Sequence, residues 1–216
     1  MKLIVIATGN AHKAEEFNRL AAVFALPEIR FVAAGEFLAG GMPHVVEDTG
    51  TFLGNARVKA LALRGRVPAD AFILADDSGL CVDALGGGPG VETAYYAGPN
   101  ATAAQNRAKL LASLDGIPAG MRGAHFICTL LLLAPNGGDG NELVFEGKCF
   151  GRIATAEAGT GGFGYDPIFI PKNFEKTFAE LDGATKNRLS HRGNAFAKLA
   201  EFFGASPATL SADGRA

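Results

Sequence analysis

Cysteine is scarce, with three in 216 residues, Cys81, Cys128 and Cys149. They are too few and too scattered for a disulfide framework. No CxxC pair or Cys/His cluster is present, so a structural zinc site is not expected. Cys81 and Cys128 lie inside apolar runs and read as core thiols, which points to a reducing compartment. Long apolar runs are also missing. The opening MKLIVIATGN loses its apolar character after about five residues, short of the ~7–15 of a secretion signal. No stretch approaches the ~18 apolar residues of a membrane span, and the longest candidate, Phe126 to Ala134, reads as a buried strand. We therefore expect a cytoplasmic protein without a membrane partner. Surplus charge is absent as well: 20 Lys+Arg stand against 22 Asp+Glu, a formal net charge of -2. That balance offers no bulk attraction to nucleic acid, which is not expected as a partner. Neither GxxxxGK[ST] nor GxGxxG occurs, and no internal repeat is found.

What is present suffices for a core. Apolar residues make up 48% of the chain and charged residues 19%, against a usual ~25% charged, so composition does not favour disorder. At ~100–200 residues per domain, residues 1–216 are one domain in two lobes. The β-branched run Lys2 to Ala7 reads as a strand buried on both faces. A helix is expected over Ala11 to Phe24, a short strand over Glu28 to Ala33, and a helix over Thr51 to Arg64 capped by Asp48 or Thr49. A strand over Ala71 to Ala75 is interrupted by Asp76-Asp77-Ser78-Gly79 and resumes over Leu80 to Val82. Ala101 to Leu114 reads as a helix capped by Asn100 or Thr102. Arg122 to Leu133 and Glu142 to Ile153 read as an antiparallel hairpin. Ile168 to Ile170 is a short strand. One last helix runs from Lys186 or Asn187 to Phe203, followed by a frayed tail, 204–216. Glycine, at 29 residues, exceeds the usual ~7% and gathers at Gly86–Gly90 and Gly159–Gly164, both read as loops. The fold class is α/β with a mixed sheet.

Five groups could carry chemistry. Thr8-Gly9-Asn10-Ala11-His12-Lys13 joins a strand to a helix, where backbone N–H groups favour an anion and Lys13 can reach it. Glu47-Asp48 precedes a helix bearing Asn55 and Lys59, which reads either as a solvated helix start or as a metal-associated acid. Asp76-Asp77-Ser78 sets adjacent carboxylates in an apolar strand, where buried charge is costly unless paired or metal-bound. The plain alternative is a β-bulge with an Asx turn. Gly159 to Pro167 alternates glycine with Phe163 and Tyr165 and ends on Asp166. It reads either as a platform for a planar heterocycle or as a tight turn. Lys186 with Ser190-His191-Arg192 gathers donors for carbonyl or phosphate oxygens, or forms a solvated helix start. His44 and His125 read as structural. Taken together, the separated lysines, the acids and the aromatic loop point to Mg²⁺-assisted nucleotide hydrolysis.

The blocks ATGNxxKxxEF, NAxxKA, ADDSGLxVDALGGxPGVxxAxYAG, GTGGFGYDPIF and SHRGxAF resemble, in order, those of the inosine triphosphate pyrophosphatase family. The resemblance runs from about Lys2 to Phe203. It implies an elongated mixed β-sheet flanked by helices, two lobes with a central substrate cleft, a homodimer and Mg²⁺. It also implies hydrolysis of inosine, deoxyinosine and xanthosine triphosphates to the monophosphate and pyrophosphate. By the same resemblance Thr8, Gly9, Asn10, Ala11, His12, Lys13 and Lys59 bind the phosphates. Asp77 is the proton acceptor and a metal ligand, and Ser78 contacts substrate. Phe163, Gly164, Tyr165 and Asp166 form the base platform, on which Lys186, His191 and Arg192 close. Counting back from Thr51-Phe52 and Asn55-Ala56 makes Glu47 the second metal-associated acid, whereas counting from Thr49-Gly50 makes it Asp48. Glu47 is preferred. Two other readings stay open: a pyrophosphatase for pyrimidine or modified nucleotides, and a nucleotide sensor without catalysis.

Overall fold

The computed structural model describes residues 1–135 and 141–205. Strand β1 (Lys2–Ile6) pairs in parallel with β2 (Ile29–Ala33) and with β3 (Phe72–Val82). Flanked on both edges and buried at Ile4, Val5 and Ile6, it has no place for polar residues, which explains its unbroken apolar run. Helix α1 (Ala11–Val23) connects β1 to β2, and the short α2 (Ala34–Phe37) follows β2 directly. Helix α3 (Phe52–Leu61) precedes β3. Strand β4 (Pro89–Gly90) runs antiparallel to β3. Helix α4 (Ala103–Ser113) opens with a capping box in which Thr102 and Gln105 satisfy each other's backbone N–H. Strands β5 (Gly123–Leu133), β6 (Glu142–Ile153) and β7 (Phe169–Pro171) complete a seven-stranded sheet, order β2-β1-β3-β5-β6-β7 with β4 on β3. Because β6 and β7 are antiparallel and the β1 pairs are parallel, the sheet is mixed, as expected. Helices α5 (Gly183–Leu189) and α6 (His191–Phe202) end the described chain.

Contacts divide the chain into two compact units. The first comprises Met1–Asp77, Thr129–Glu146 and the chain from Ala195. Its core joins Val5, Ala7, Ala56, Ala60, Ile73 and Leu131. It also holds Phe17, whose ring lies 5.4 Å from that of Phe31 and 5.8 Å from that of Phe196. The second comprises Ser78–Cys128 and Gly147–Asn194, around Leu80, Val82, Leu110, Phe126, Phe169 and Phe178. No described helix is long and apolar enough to cross a membrane.

Several local expectations change. Strand β3 is not interrupted at Asp76-Asp77-Ser78-Gly79; it runs unbroken from Phe72 to Val82, because the acids find partners and the ladder need not open around them. Helix α3 is capped by Thr51, whose hydroxyl accepts from Gly54 N–H at 3.0 Å, and not by Asp48 or Thr49. Of the two candidate caps for α4, Thr102 serves. Strand β7 begins one residue late, after a 3₁₀ turn over Asp166–Ile168 that accommodates the fixed φ of Pro167. The single last helix is two. Ser190 is extended (φ -64°, ψ 144°) and its hydroxyl accepts from Gly193 N–H at 2.9 Å, capping α6 just after α5 ends. A Cβ on Gly193 would stand 2.9 Å from Asn187 O, so the break also needs glycine there. The 136–140 part of the expected β5–β6 connection and residues 206–216 of the expected tail lie outside the described residues.

Cys128 and Cys149 are buried and Cys81 is half-buried, and none of the three is in a disulfide. Burial pushes the Cys149 thiol up to about 11 from an ordinary 9.0. A folded pKa above the unfolded one gives stability that is complete below the unfolded value and lost as pH rises. Between pH 9.0 and about 11 the unfolded thiol ionises first and stability should fall. Cys149→Ala should make that decline shallower in chemical denaturation measured across pH. An unchanged slope would refute this role for Cys149.

Candidate active site

In the first unit, the turn from β1 to α1 is held by its own side chains. Thr8 Oγ1 accepts from Asn10 N–H at 3.1 Å, and Asn10 Oδ1 accepts from His12 N–H at 3.0 Å, capping α1. Gly35 N–H donates to Thr8 O at 3.0 Å. A Cβ on Gly35 would stand 2.8 Å from Gly9 Cα, so glycine at position 35 lets α2 and the turn touch. Lys13, on the first turn of α1, donates to Asp76 Oδ1 at 2.8 Å. The Asp76 side chain is 1% exposed, so this lysine answers a buried charge as well as facing the turn. His12 is exposed and lies 3.3 Å from Glu15.

The acids gather around Lys59. Helix α3 buries Asn55, Ala56, Lys59 and Ala60. Asn55 and Lys59, four apart, stand one above the other on that buried stripe. Lys59 Nζ donates to Asp76 O at 2.7 Å and lies 3.1 Å from Asp77 Oδ1 and 2.8 Å from Glu47 Oε2. Glu47 is thus the acid that meets Asp77 at Lys59; both Glu47 and Asp48 are exposed. Burial opposes the charge of Lys59, but Asp77, Glu47 and Asp76 together outweigh it and hold its pKa above the ordinary value. Asp77 goes the other way. Burial raises its pKa, Lys59 and Asn55 only partly offset this, and the Glu47 charge adds to the rise. Two carboxylates converging on one cation are hard oxygen donors of the kind Mg²⁺ takes. Among the described residues, no group of three or more His, Cys, Asp or Glu side chains is gathered for a metal.

In the second unit, Phe163 projects its ring, 74% exposed. Asp166 is buried, and its Oδ2 accepts from Phe163 N–H at 2.6 Å and from Lys186 Nζ at 2.5 Å. Lys186 Nζ also sits 4.5 Å from the centroid of the Phe163 ring, a cation–π contact. Asp182 caps α5, which carries Lys186. Tyr165 does not offer an open face. Its ring is buried in the second core and its hydroxyl donates to Thr93 O at 2.8 Å; that burial pushes its phenol well above the ordinary range. Thr93 Oγ1 in turn accepts from Leu80 N–H at 2.8 Å. Tyr165 is a strut and Phe163 the exposed ring. Gly164 O accepts from Arg107 Nη1 at 2.9 Å, while the Arg107 Nε pairs with Glu157 at 2.9 Å. The His191 ring stacks on Phe126 at 5.0 Å, with Arg192 next in sequence. Ser78 Oγ is buried and has no hydrogen-bond partner among the described residues.

The structure thus joins Glu47, Lys59 and Asp77 in one unit, and Phe163, Asp166 and Lys186 in the other. Sequence reasoning placed Asp76 and Asn55 in candidate groups without assigning either to the site, and did not single out Arg107 or Thr93. For Asn55 a signal existed: a polar residue on the stripe that Ala56 and Ala60 mark as buried, one turn before Lys59. Arg107 and Thr93 act through backbone carbonyls, which no residue pattern reveals.

The profile of the Ham1 family matches residues 4–202. The chain is 57% identical over 200 residues to the dITP/XTP pyrophosphatase of Opitutus terrae, covering 91% of this chain and 96% of that protein. It is 46% identical to the protein of the same name from Geobacillus kaustophilus, covering 93% and 94%. The Ham1 protein of Staphylococcus aureus superposes with a TM-score of 0.82 at 36% identity, covering 94% of this chain and 98% of that one.

Lys59 is the one cation that Glu47 and Asp77 share in these contacts. Lys59→Met should leave the mostly buried Asp77 carboxylate and the exposed Glu47 facing an apolar tip; the loss should be on the order of 2 kcal/mol, below that of a fully buried pair because solvent screens Glu47. Urea denaturation should show a lowered midpoint. A loss under about 0.5 kcal/mol, the size of an exposed pair, would contradict the pairing described.

Proposed function

This chain belongs to the Ham1 family, and on that premise we propose that it hydrolyses deoxyinosine, inosine and xanthosine triphosphates to the nucleoside monophosphate and pyrophosphate. It thereby removes deaminated purines from the nucleotide pool. The observation that carries the reading is the Glu47–Lys59–Asp77 cluster, with a second lysine, Lys13, at a helix start in the same unit. Carboxylates beside lysines are what water attack on a polyphosphate requires.

The phosphates lie over the turn from Thr8 to Lys13, at the positive end of α1, with the Lys13 and Lys59 ammonium groups. Asp77 accepts a proton from water as the water oxygen attacks the α-phosphorus. The bond from that phosphorus to the α,β-bridging oxygen breaks, and pyrophosphate leaves with the oxygen. The raised pKa of Asp77 makes it a stronger base than an ordinary carboxylate. The lysines answer the charge that spreads over the phosphate oxygens, the largest demand of such a step. Glu47 and Asp77 would hold Mg²⁺, which takes one or two carboxylates together with substrate phosphates and waters. When bound, the ion would add positive charge against the triphosphate. Ser78, whose buried hydroxyl lacks a partner, would contact substrate.

Phe163 and the cationic side chains near it in sequence and space would read the base. Phe163 offers the stacking face, and Lys186, His191 and Arg192 supply donors for the 6-oxo group of hypoxanthine and xanthine. Adenine carries an amine there and would leave such donors unpaired, a strong ground for rejection. The family resemblance supports a homodimer, which the sedimentation mass would test. Three cysteines with no disulfide among them support a reducing cytoplasm.

With Mg²⁺, dITP and XTP should yield pyrophosphate, whereas dATP and dTTP should not. Asp77→Asn should abolish turnover while retaining nucleotide binding. Orthophosphate as the product, or full activity in that variant, would overturn the reading.

A further inference from the structure

Asp77 has two oxygens with different partners. Oδ1 faces Lys59 at 3.1 Å, and Oδ2 accepts from Asn55 Nδ2 at 3.2 Å. The orientation of the Asn55 amide follows from its other end. Asn55 Oδ1 lies 3.3 Å from Thr49 N and 2.8 Å from Thr49 Oγ1. A backbone N–H can only donate, so the atom it meets is the amide oxygen, and the NH₂ group must face Asp77. The single Thr49 hydroxyl proton goes to the nearer of its two acceptors, Asn55 Oδ1 at 2.8 Å rather than Thr51 O at 3.2 Å. Gly54 makes room for this, since a Cβ there would run into Thr49 Oγ1. Asn55 itself is 2% exposed, so water does not compete freely for these bonds. Thr49 stands two residues after Glu47, on the segment that brings Glu47 to Lys59.

Building on the proposed hydrolysis, we infer that Asn55 is a positioning residue for Asp77. The chain Thr49–Asn55–Asp77 fixes the rotation of the Asp77 carboxylate through Oδ2. It thereby keeps Oδ1 on the Lys59 side and ties Asp77 to the segment carrying Glu47. Without the Asn55 N–H, the Asp77 carboxylate can turn about its last side-chain bond, and the proton acceptor is no longer held in one direction. Asn55 need not touch substrate for this.

Asn55→Leu is the discriminating variant. It is close to asparagine in size and adds no charge beside Asp77, but it has no N–H for the carboxylate. A small misplacement of a reacting group costs on the order of 100-fold, so kcat for dITP should fall about that much. KM, and affinity for the α,β-methylene analogue of dITP, should stay within about twofold, since the turn at Thr8–Lys13 and the Phe163 ring are untouched. Should this variant fail to fold, Thr49→Val keeps the N–H to Asn55 and loses only the hydroxyl. A several-fold fall in kcat at constant analogue affinity is expected there. Wild-type kcat in a folded variant overturns the inference, as does a rise in KM that matches the fall in kcat. If the unaltered protein releases no pyrophosphate from dITP, the proposed function itself fails.

Discussion

Lys59 carries an ammonium onto the buried face of a helix, and the rest of the first unit's chemistry is arranged around that charge. A buried cation without partners would be prohibitively costly. Here it meets Asp76 O, Asp77 Oδ1 and Glu47 Oε2 within 3.1 Å. The reverse dependence is as important. Two carboxylates approach each other without dispersing because the same ammonium holds both. Asp77 is left with a raised pKa, because its burial outweighs what one shared lysine returns. A base that is charged yet incompletely satisfied is what proton abstraction from water asks for.

The backbone delivers these groups by ordinary means. Alternation along β3 separates Asp76 from Asp77, and each acid meets a different lysine side chain: Asp76 Oδ1 faces Lys13 and Asp77 Oδ1 faces Lys59. Helical spacing on α3 stacks Asn55 above Lys59, so two contacts to Asp77 come from one helix face. In the second unit the same economy appears at Asp166, whose single Oδ2 fixes both the Phe163 backbone and Lys186. Tyr165 and Arg107 then tie the loop at adjacent residues, which leaves the Phe163 ring projecting from a rigid base.

Much of this was legible in the residues. The unbroken run Lys2 to Ala7 announced a strand buried on both faces. Five ordered blocks announced the family, and counting back from Thr51-Phe52 selected Glu47, the acid that the structure brings to Lys59. Other features depend on distances that no local pattern encodes. Asp76-Asp77-Ser78-Gly79 looked like a break in the strand because the lysines that neutralise the two acids lie 63 and 18 residues away. Tyr165 looked like a platform beside Phe163, and only its contact with Thr93, 72 residues distant, shows it to be a strut. Ser190 was hidden inside a helical pattern. The apolar stripe continues past it, while its hydroxyl and the close approach at Gly193 decide for a cap.

The central claim is that water guided by Asp77 attacks the α-phosphorus. Hydrolysis of dITP in ¹⁸O-enriched water tests it most directly, since both routes give the same two products but differ in which one carries the label. Label in the deoxyinosine monophosphate is the expected result. Label in the pyrophosphate would place the attack on the β-phosphorus and contradict the account.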